Sequence, residues 1–313
     1  MIKKPKPLQK GDTIAIISPA APSSENDLAQ GIAWLRSCGY LVKAMPHAGE
    51  QFGYTAGTDE ERLADLITAL EDPSIDAILC ARGGYGSGRL LPFLPWQRWK
   101  NENLPCKLLM GFSDITMLHT AFFQELGWVT YYSPMLTSNL LNDSQDFTRR
   151  EWLRFLEAET FTDLPVRLHN QDAYECLNTG VAEGVSRGGN LSLLAALCGT
   201  PWQPNFKDSI VMIEDWKERY YTLDRQFTQL LQAGVFNGAK GLLFADFSQI
   251  DEEAIRPLGK HLAWLCQSLD IPMGYGFSIG HGVQTATLPL GVKIRFDATA
   301  GNVSLLESPF PSH

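Results

Sequence analysis

Short apolar runs alternate along the chain with stretches of helical period. Thr13-Ile14-Ala15-Ile16-Ile17 reads as a buried strand ending at Ser18-Pro19. A helix is predicted over about Glu25 to Cys38, with Leu28, Ile32 and Leu35 on one face and Gly39 as its stop. Tyr40 to Ala44 is a second strand, so the first unit is β-α-β. Asp59 opens another helix whose stripe is Leu63, Leu66, Ile67 and Leu70, with Pro73 beyond its end. Ile75 to Cys80, Leu108 to Met110 and Trp128 to Tyr132 supply three more strands. Strands alternating with helices of this length predict an α/β fold with a parallel sheet covered on both faces. Ligands of such sheets gather at the carboxyl ends of the strands. That rule puts Ser18-Pro19, Arg82-Gly83-Gly84 and Ser113 along one edge.

From about Arg149 the pattern changes. Glu151 to Glu159 reads as a helix, and Phe161 to Asn178, including His169-Asn170-Gln171-Asp172, is polar with weak periodicity. The expected organisation is an N-terminal domain over 1–160, a linker over 161–180 and a C-terminal domain over 181–313. In the last part, Val181 to Val185 is a strand, and Gly188-Gly189-Asn190 leads into an apolar helix, Leu191 to Leu197. Ser209 to Trp216 holds four apolar residues and then two carboxylates, Glu214 and Asp215. A helix over Tyr220 to Ala233, a strand over Gly241 to Phe247, a helix over Leu258 to Leu269 and short β segments from Thr285 to Leu306 complete the chain.

At 313 residues the chain exceeds the usual single-core size, which agrees with two domains. With 44% hydrophobic and 19% charged residues it has ample core material. A formal charge of −9 argues against nucleic acid or an anionic membrane surface as the main partner. No apolar run approaches the length that spans a bilayer. The basic start Met1 to Pro7 meets Gly11-Asp12 before any adequate apolar region, so no signal peptide is expected. Cys38, Cys80, Cys106, Cys176, Cys198 and Cys266 are scattered without a C-x-x-C, as expected of reduced, buried thiols in a cytoplasmic protein. No His/Cys cluster has zinc spacing, so neither a metal nor a cofactor is expected.

Three places carry candidate chemistry. Leu108 to Met110 runs into Gly111-Phe112-Ser113-Asp114, and a helical pattern follows, which is how a strand-to-helix elbow reads. The match to the hydrolase elbow is partial, because Ile115 stands where the second glycine is usual. The plainer role for Ser113 is to cap the helix. Ala81 to Arg89 holds four glycines, whose backbone can approach a ligand, without P-loop or dinucleotide spacing. It suits an oxyanion hole, a phosphate cradle or a flexible surface loop. Glu214 at a strand end suits either a surface ion pair or the orienting of a base. His281, between Gly280 and Gly282, suits a structural or a catalytic ring. Together, Ser113, Glu214 and His281 supply nucleophile, orienter and general base.

The chain resembles the L,D-carboxypeptidases of peptidase family S66, the muramoyltetrapeptide carboxypeptidases of peptidoglycan recycling. The match runs nearly end to end. It includes the Gly11-Asp12 opening through Ser18-Pro19-Ala20, Ala81 to Gly86, Gly111 to Asp114, Gly188 to Leu191, Ile213-Glu214-Asp215 and Gly280-His281-Gly282. The resemblance implies a Rossmann-like N-terminal domain bearing the nucleophile. A smaller β-rich α/β C-terminal domain would bear Glu and His, with the site at the domain interface. It implies a triad of Ser113, Glu214 and His281, and an oxyanion hole from the N–H groups of Asp114 and Gly84. It also implies a homodimer, a muropeptide substrate and removal of the terminal D-alanine from the tetrapeptide stem. Arg82 or Arg89 has the chemistry for the free carboxylate and equally for a scaffold ion pair, and Tyr85, Trp216 and Tyr221 for lining the pocket. The competing expectations are a microcin-immunity-type hydrolase of peptidyl-nucleotides and a non-catalytic anion- or sugar-binding module.

Overall fold

A computed structural model describes residues 2–141, 146–157, 174–250 and 257–311. The chain divides into two units, one of residues 1–159 with 309–313 and one of residues 160–308. Of the stretch read as a linker over 161–180, residues 161–173 lie outside the described residues, so no structure is assigned to His169-Asn170-Gln171-Asp172.

The first unit is built on β1 (Thr13–Ile17), β2 (Leu41–Ala44), β3 (Ala77–Cys80), β4 (Leu108–Gly111) and β5 (Thr130–Tyr132). They run parallel in the order β5-β4-β3-β1-β2. The order reverses at β1 and β3, where doubly wound sheets open their ligand crevice. β1, β3, β4 and β5 are apolar and almost wholly buried, whereas the edge strand β2 is largely exposed. The connecting helices are α1 (Glu25–Ser37), α2 (Asp59–Glu71), α3 (Trp96–Asn101), α4 (Thr116–Leu126) and α5 (Asp146–Leu156). Ser24 caps α1, and Thr58 with Glu61 forms a capping box at α2. The sequence reading missed α3, a single short segment whose tryptophans pack against Phe122 of α4 rather than marking a helical period. Residues 309 and 310 belong to this unit and not to the second. Phe310 stacks on Tyr131 at 6.0 Å, and the Tyr131 hydroxyl donates to the Pro309 carbonyl at 3.3 Å.

The second unit holds β6 (Glu175–Asn178), β7 (Val181–Asn190), β8 (Ser209–Trp216), β9 (Gly241–Ser248), β10 (Met273–Tyr275), β11 (Leu288–Leu290), β12 (Lys293–Asp297) and β13 (Asn302–Leu305). Its sheet runs β13-β12-β7-β8-β9-β10-β6, parallel from β7 to β10 and antiparallel at both margins. Helices α6 (Leu191–Ala196), α7 (Tyr220–Gln232) and α8 (Leu258–Leu265) press Leu191, Leu194, Leu223, Phe227, Leu230 and Leu262 against Val211, Ile213, Leu242 and Phe244. The architecture is therefore the expected α/β pair, a parallel-sheet unit and a β-rich α/β unit.

Two expectations are corrected. Glu175–Asn178, read as connection, is a strand, because its partner β10 pairs with it antiparallel at the sheet margin. Val181 to Asn190 is one continuous strand despite its glycines. At Gly188, φ is +121° and a Cβ would stand 1.9 Å from the Met212 carbonyl oxygen, so only glycine lets β7 run this close to β8. The cysteines are all free thiols, with Cys80 and Cys266 buried as expected but Cys176 exposed.

Candidate active site

In the first unit, β4 enters a one-turn 3-10 helix, Ser113–Ile115, that leads directly into α4. Ser113 has φ +62°, a left-handed conformation that costs a non-glycine residue energy and marks a sharp elbow. It caps neither helix: the cap positions fall on Phe112 and Ile115, and neither makes a side-chain cap bond. The helix-capping alternative is thereby set aside. Gly111 cannot be larger, because a Cβ there would meet Ile115 at 2.9 Å.

Several contacts hold the elbow. The Ser113 N–H donates to the Tyr132 hydroxyl at 3.2 Å. The buried His119 ring hydrogen-bonds through Nε2 to the Gly111 carbonyl at 2.9 Å, and burial pushes its pKa down to about 4. Asp114 is buried, and its Oδ2 accepts from the Ser87 N–H at 2.8 Å while its carbonyl accepts from the Ser87 hydroxyl at 2.7 Å. Burial pushes its carboxyl above the ordinary range, and the Ser87 and Gly86 N–H groups pull it back.

The glycine loop is seated against the same elbow. A Cβ on Gly83 would stand 2.9 Å from Ser113 Cβ and 3.1 Å from its Oγ. Gly84 has φ +112°, and the Gly83 carbonyl accepts from the Ala21 N–H at 3.0 Å. The loops after β1, β3 and β4 thus meet at one sheet edge, as the sequence pattern predicted. Arg62, which sequence reading passed over, lies buried beneath them. It donates to the Pro19 carbonyl and to Asp59, and a Cβ on Gly86 would strike its Nη1. Arg82 and Tyr85 are exposed on this loop, and Tyr85 packs edge-on against Tyr54 at 5.6 Å. Arg89 is engaged by Asp59 at 2.7 Å, so a scaffold ion pair describes it.

In the second unit, Glu214 sits at the end of β8 with no exposed surface, and its Oε2 is 2.6 Å from His281 Nδ1. Its other oxygen accepts from Asn190 Nδ2 at 3.1 Å. Asn190 is the last residue of β7 and the cap of α6, and the same amide donates to Asp215 at 2.9 Å. Asp215 also accepts from the Ser192 N–H and hydroxyl. Burial and the neighbouring Glu214 push the Asp215 pKa up to about 6. Asn190 is therefore a supporting residue that sequence reading placed only as a motif member. Its signal was the polar residue at the junction of strand and helix.

His281 is presented as its glycine neighbours require. Gly280 has φ +106°, and a Cβ there would stand 2.5 Å from Glu214 Oε2. Trp216 lies flat on the His281 ring, 5.4 Å between centroids and 4° between planes, with Lys217 Nζ 4.2 Å from the indole centroid. Tyr221, by contrast, is an exposed residue of α7 whose hydroxyl meets Arg219. Of the predicted residues, Glu214, His281 and Trp216 form one cluster in this unit. Ser113, Asp114, Gly84, Arg82 and Tyr85 belong to the first. Among the described residues no group of His, Cys, Asp and Glu has the makings of a metal site, and no helix is long and apolar enough to cross a membrane.

Comparison with known proteins gives the family. The LD-carboxypeptidase N-terminal domain of peptidase S66 matches residues 14–133, and the LD-carboxypeptidase C-terminal domain matches residues 183–296. A probable murein peptide carboxypeptidase of Bacillus subtilis is 35% identical over 97% of this chain and 94% of its own. The murein tetrapeptide carboxypeptidase of Pseudomonas aeruginosa is 29% identical over 89% and 91%. The crystal structure of a muramoyltetrapeptide carboxypeptidase from Oxalobacter formigenes superposes with a TM-score of 0.79 at 28% identity, covering 94% of this chain and 97% of that one. The chain belongs to the LD-carboxypeptidase family of peptidase S66 and is a serine-type carboxypeptidase.

Proposed function

We propose that this enzyme removes the terminal D-alanine from peptidoglycan tetrapeptides, cutting the bond from the L-centre of meso-diaminopimelate to D-Ala, as a cytoplasmic homodimer in murein recycling. The observation that carries the reading is the 2.6 Å hydrogen bond between buried Glu214 and His281 Nδ1. A ring that gives Nδ1–H to a carboxylate keeps Nε2 unprotonated and basic, and the carboxylate stabilises the cation formed when Nε2 takes a proton. In this reading Ser113 Oγ attacks the scissile carbonyl and its proton passes to His281 Nε2. The N–H groups of Asp114 and Gly84 hold the oxyanion. His281 then protonates the departing D-Ala amine, leaving an acyl-enzyme. Water hydrolyses that ester by the same proton route and frees Ser113. Arg82 receives the substrate's free carboxylate, and Tyr85 and Trp216 line its path.

Several observations support this reading. The left-handed φ of Ser113 lifts its hydroxyl from the end of β4, and Gly83 leaves open space beside it. The relatives named for murein peptides, at 35% and 29% identity, favour a muropeptide. The competing expectation has its own relative, the microcin C7 self-immunity protein MccF of Escherichia coli, 27% identical over 96% of this chain and 95% of its own. The test is mass spectrometry of a diaminopimelate tetrapeptide incubated with wild type and with Ser113→Ala. Loss of D-alanine with wild type alone is the expected result. Loss with both proteins moves the nucleophile elsewhere, and loss with neither redirects the search to peptidyl-nucleotides and then to a binding role.

A further inference from the structure

Beside Glu214 the pairing of β8 with β9 breaks step. Ile213 stands opposite Phe244 and Asp215 opposite Phe247, so two steps along β8 correspond to three along β9. The extra residue is a β-bulge spanning Ala245 and Asp246. Phe244 and Phe247, three apart, both enter the helix-covered core, which strict strand alternation forbids. The consequence falls on Asp246. Without the bulge its side chain would share the face of Phe244; with it, the carboxyl is turned out of that core and toward the Glu214–His281 pair.

The end of β9 then grips the loop that carries His281. The Asp246 N–H donates to the Ile279 carbonyl at 3.2 Å, and the Ser248 hydroxyl donates to the His281 carbonyl at 3.1 Å. The Gly282 N–H faces the Asp246 carboxylate and favours its ionised form. A Cβ at Gly282 would stand 2.2 Å from Asp246 Oδ2, so glycine is what lets the loop close down on the carboxyl. Oδ2 itself is buried and has no hydrogen-bond partner among the described residues. A polar atom in that position is costly if its only use is to stabilise the fold.

We infer that Asp246 is a positioning residue for His281, holding its loop through Gly282 and setting the basicity of the ring through a second carboxylate beside Glu214. The inference rests on the reading of His281 as the general base. Among the described residues, the ionisable groups facing Asp246 are Glu214 on β8, His281 on the loop and Tyr275 on β10. Burial, and after it the like charge of Glu214, push the Asp246 pKa up to about 7, against the Gly282 N–H and His281. The charge on Asp246 thus changes near neutral pH. When ionised, it favours the imidazolium. When protonated, it releases that hold and makes the ring a weaker base that is more readily freed of its proton.

The test is Asp246→Asn, which keeps an oxygen for the Gly282 N–H and removes the charge. His281 is followed by NMR titration of its ring nitrogens, with His281→Gln identifying the signal. The expected result is a His281 midpoint lower by about 0.5 to 1 pH unit in Asp246→Asn. The acidic limb of kcat/KM should move down by the same amount at unchanged KM. Coincident His281 titration curves in the two proteins overturn the inference. Should Asp246→Asn not fold, the wild-type curve decides. Coupling to Asp246 gives the His281 signal a second inflection, whereas a single one-proton curve overturns the proposal. The ring titration needs no turnover. A protein that fails to release D-alanine but shows the shift refutes the substrate reading alone.

Discussion

The two units position the residues of the proposed triad by different means. Ser113 is placed by backbone. A left-handed φ, a neighbouring glycine loop, the Ser113 N–H donated to the Tyr132 hydroxyl and the Ser87 hydrogen bonds donated to Asp114 fix where its hydroxyl stands. His281 is placed by charge. Its ring is held by Glu214, Glu214 by Asn190, and two further carboxyls, Asp215 and Asp246, stand within the same hydrogen-bonded and electrostatic cluster. The difference follows from the tasks. A nucleophilic hydroxyl needs only exposure and direction, and backbone geometry supplies both rigidly. A base needs a tuned proton affinity, which only charged neighbours can set.

The sharpest test removes each reactive group. Ser113→Ala and Glu214→Gln are each expected to lower kcat by roughly 10⁴-fold or more with little change in thermal stability, read by D-alanine release and calorimetry. Parity of the two would show that a placed nucleophile and a tuned base are equally indispensable. If Glu214→Gln retained wild-type turnover, the charge-based account of the second unit would fail.

Two glycines separate the mechanisms next. Gly280→Ala forces a Cβ onto Glu214 at a φ of +106°, so activity should fall by about 10²-fold and stability by about 1–3 kcal/mol. Gly83→Ala, which lacks the positive φ, crowds Ser113 alone and should lower kcat/KM while leaving denaturant stability nearly unchanged. Asn190→Ala removes both the donor to Glu214 and the cap of α6. A loss of about 1–3 kcal/mol in urea unfolding is expected, with about 10-fold in kcat.

The smallest effects carry opposite signs with pH. His119 in the first unit has its pKa lowered to about 4, so the folded state binds fewer protons than the unfolded. Its contribution is present above about pH 6.5 and is lost as pH falls toward 4. Asp246 and Asp215 have raised pKa values, about 7 and about 6, so their contribution is present below about pH 4 and is lost as pH rises through those values. Each group contributes a slope of at most about 1.4 kcal/mol per pH unit, and solvent access reduces it. Denaturant unfolding from pH 4 to 8 should show a flatter alkaline side in Asp246→Asn and a flatter acidic side in His119→Gln. Unchanged slopes in both would mean that these groups reach solvent more freely than their burial implies.

Much of the first unit was legible because its signals are local. β1, β3 and β4 are apolar runs between amphipathic helices, so a parallel sheet and its reactive edge followed from pattern alone. Ser113, Glu214 and His281 were legible as a set, because each follows or ends an apolar strand and glycines flank the serine's turn and the histidine. What escaped was placed by pairing. The strand at Glu175–Asn178 reads as polar connection until β10 lies beside it. Asp246 reads as one more strand residue until the register with β8 is known.

The sequence by itself determined the family and the α/β class, and it marked Ser113, Glu214 and His281 as the candidates proposed for the chemistry, because strand burial, turn chemistry and short motifs are written in neighbouring residues. Only the tertiary structure decided that Arg89 is engaged by Asp59, that Arg62 underlies the glycine loop, and that Asn190 and Asp246 converge on Glu214 and His281. Those facts depend on sheet register and on burial shared between distant segments. Neither quantity exists until the strands have paired, and both set the charges that tune the base.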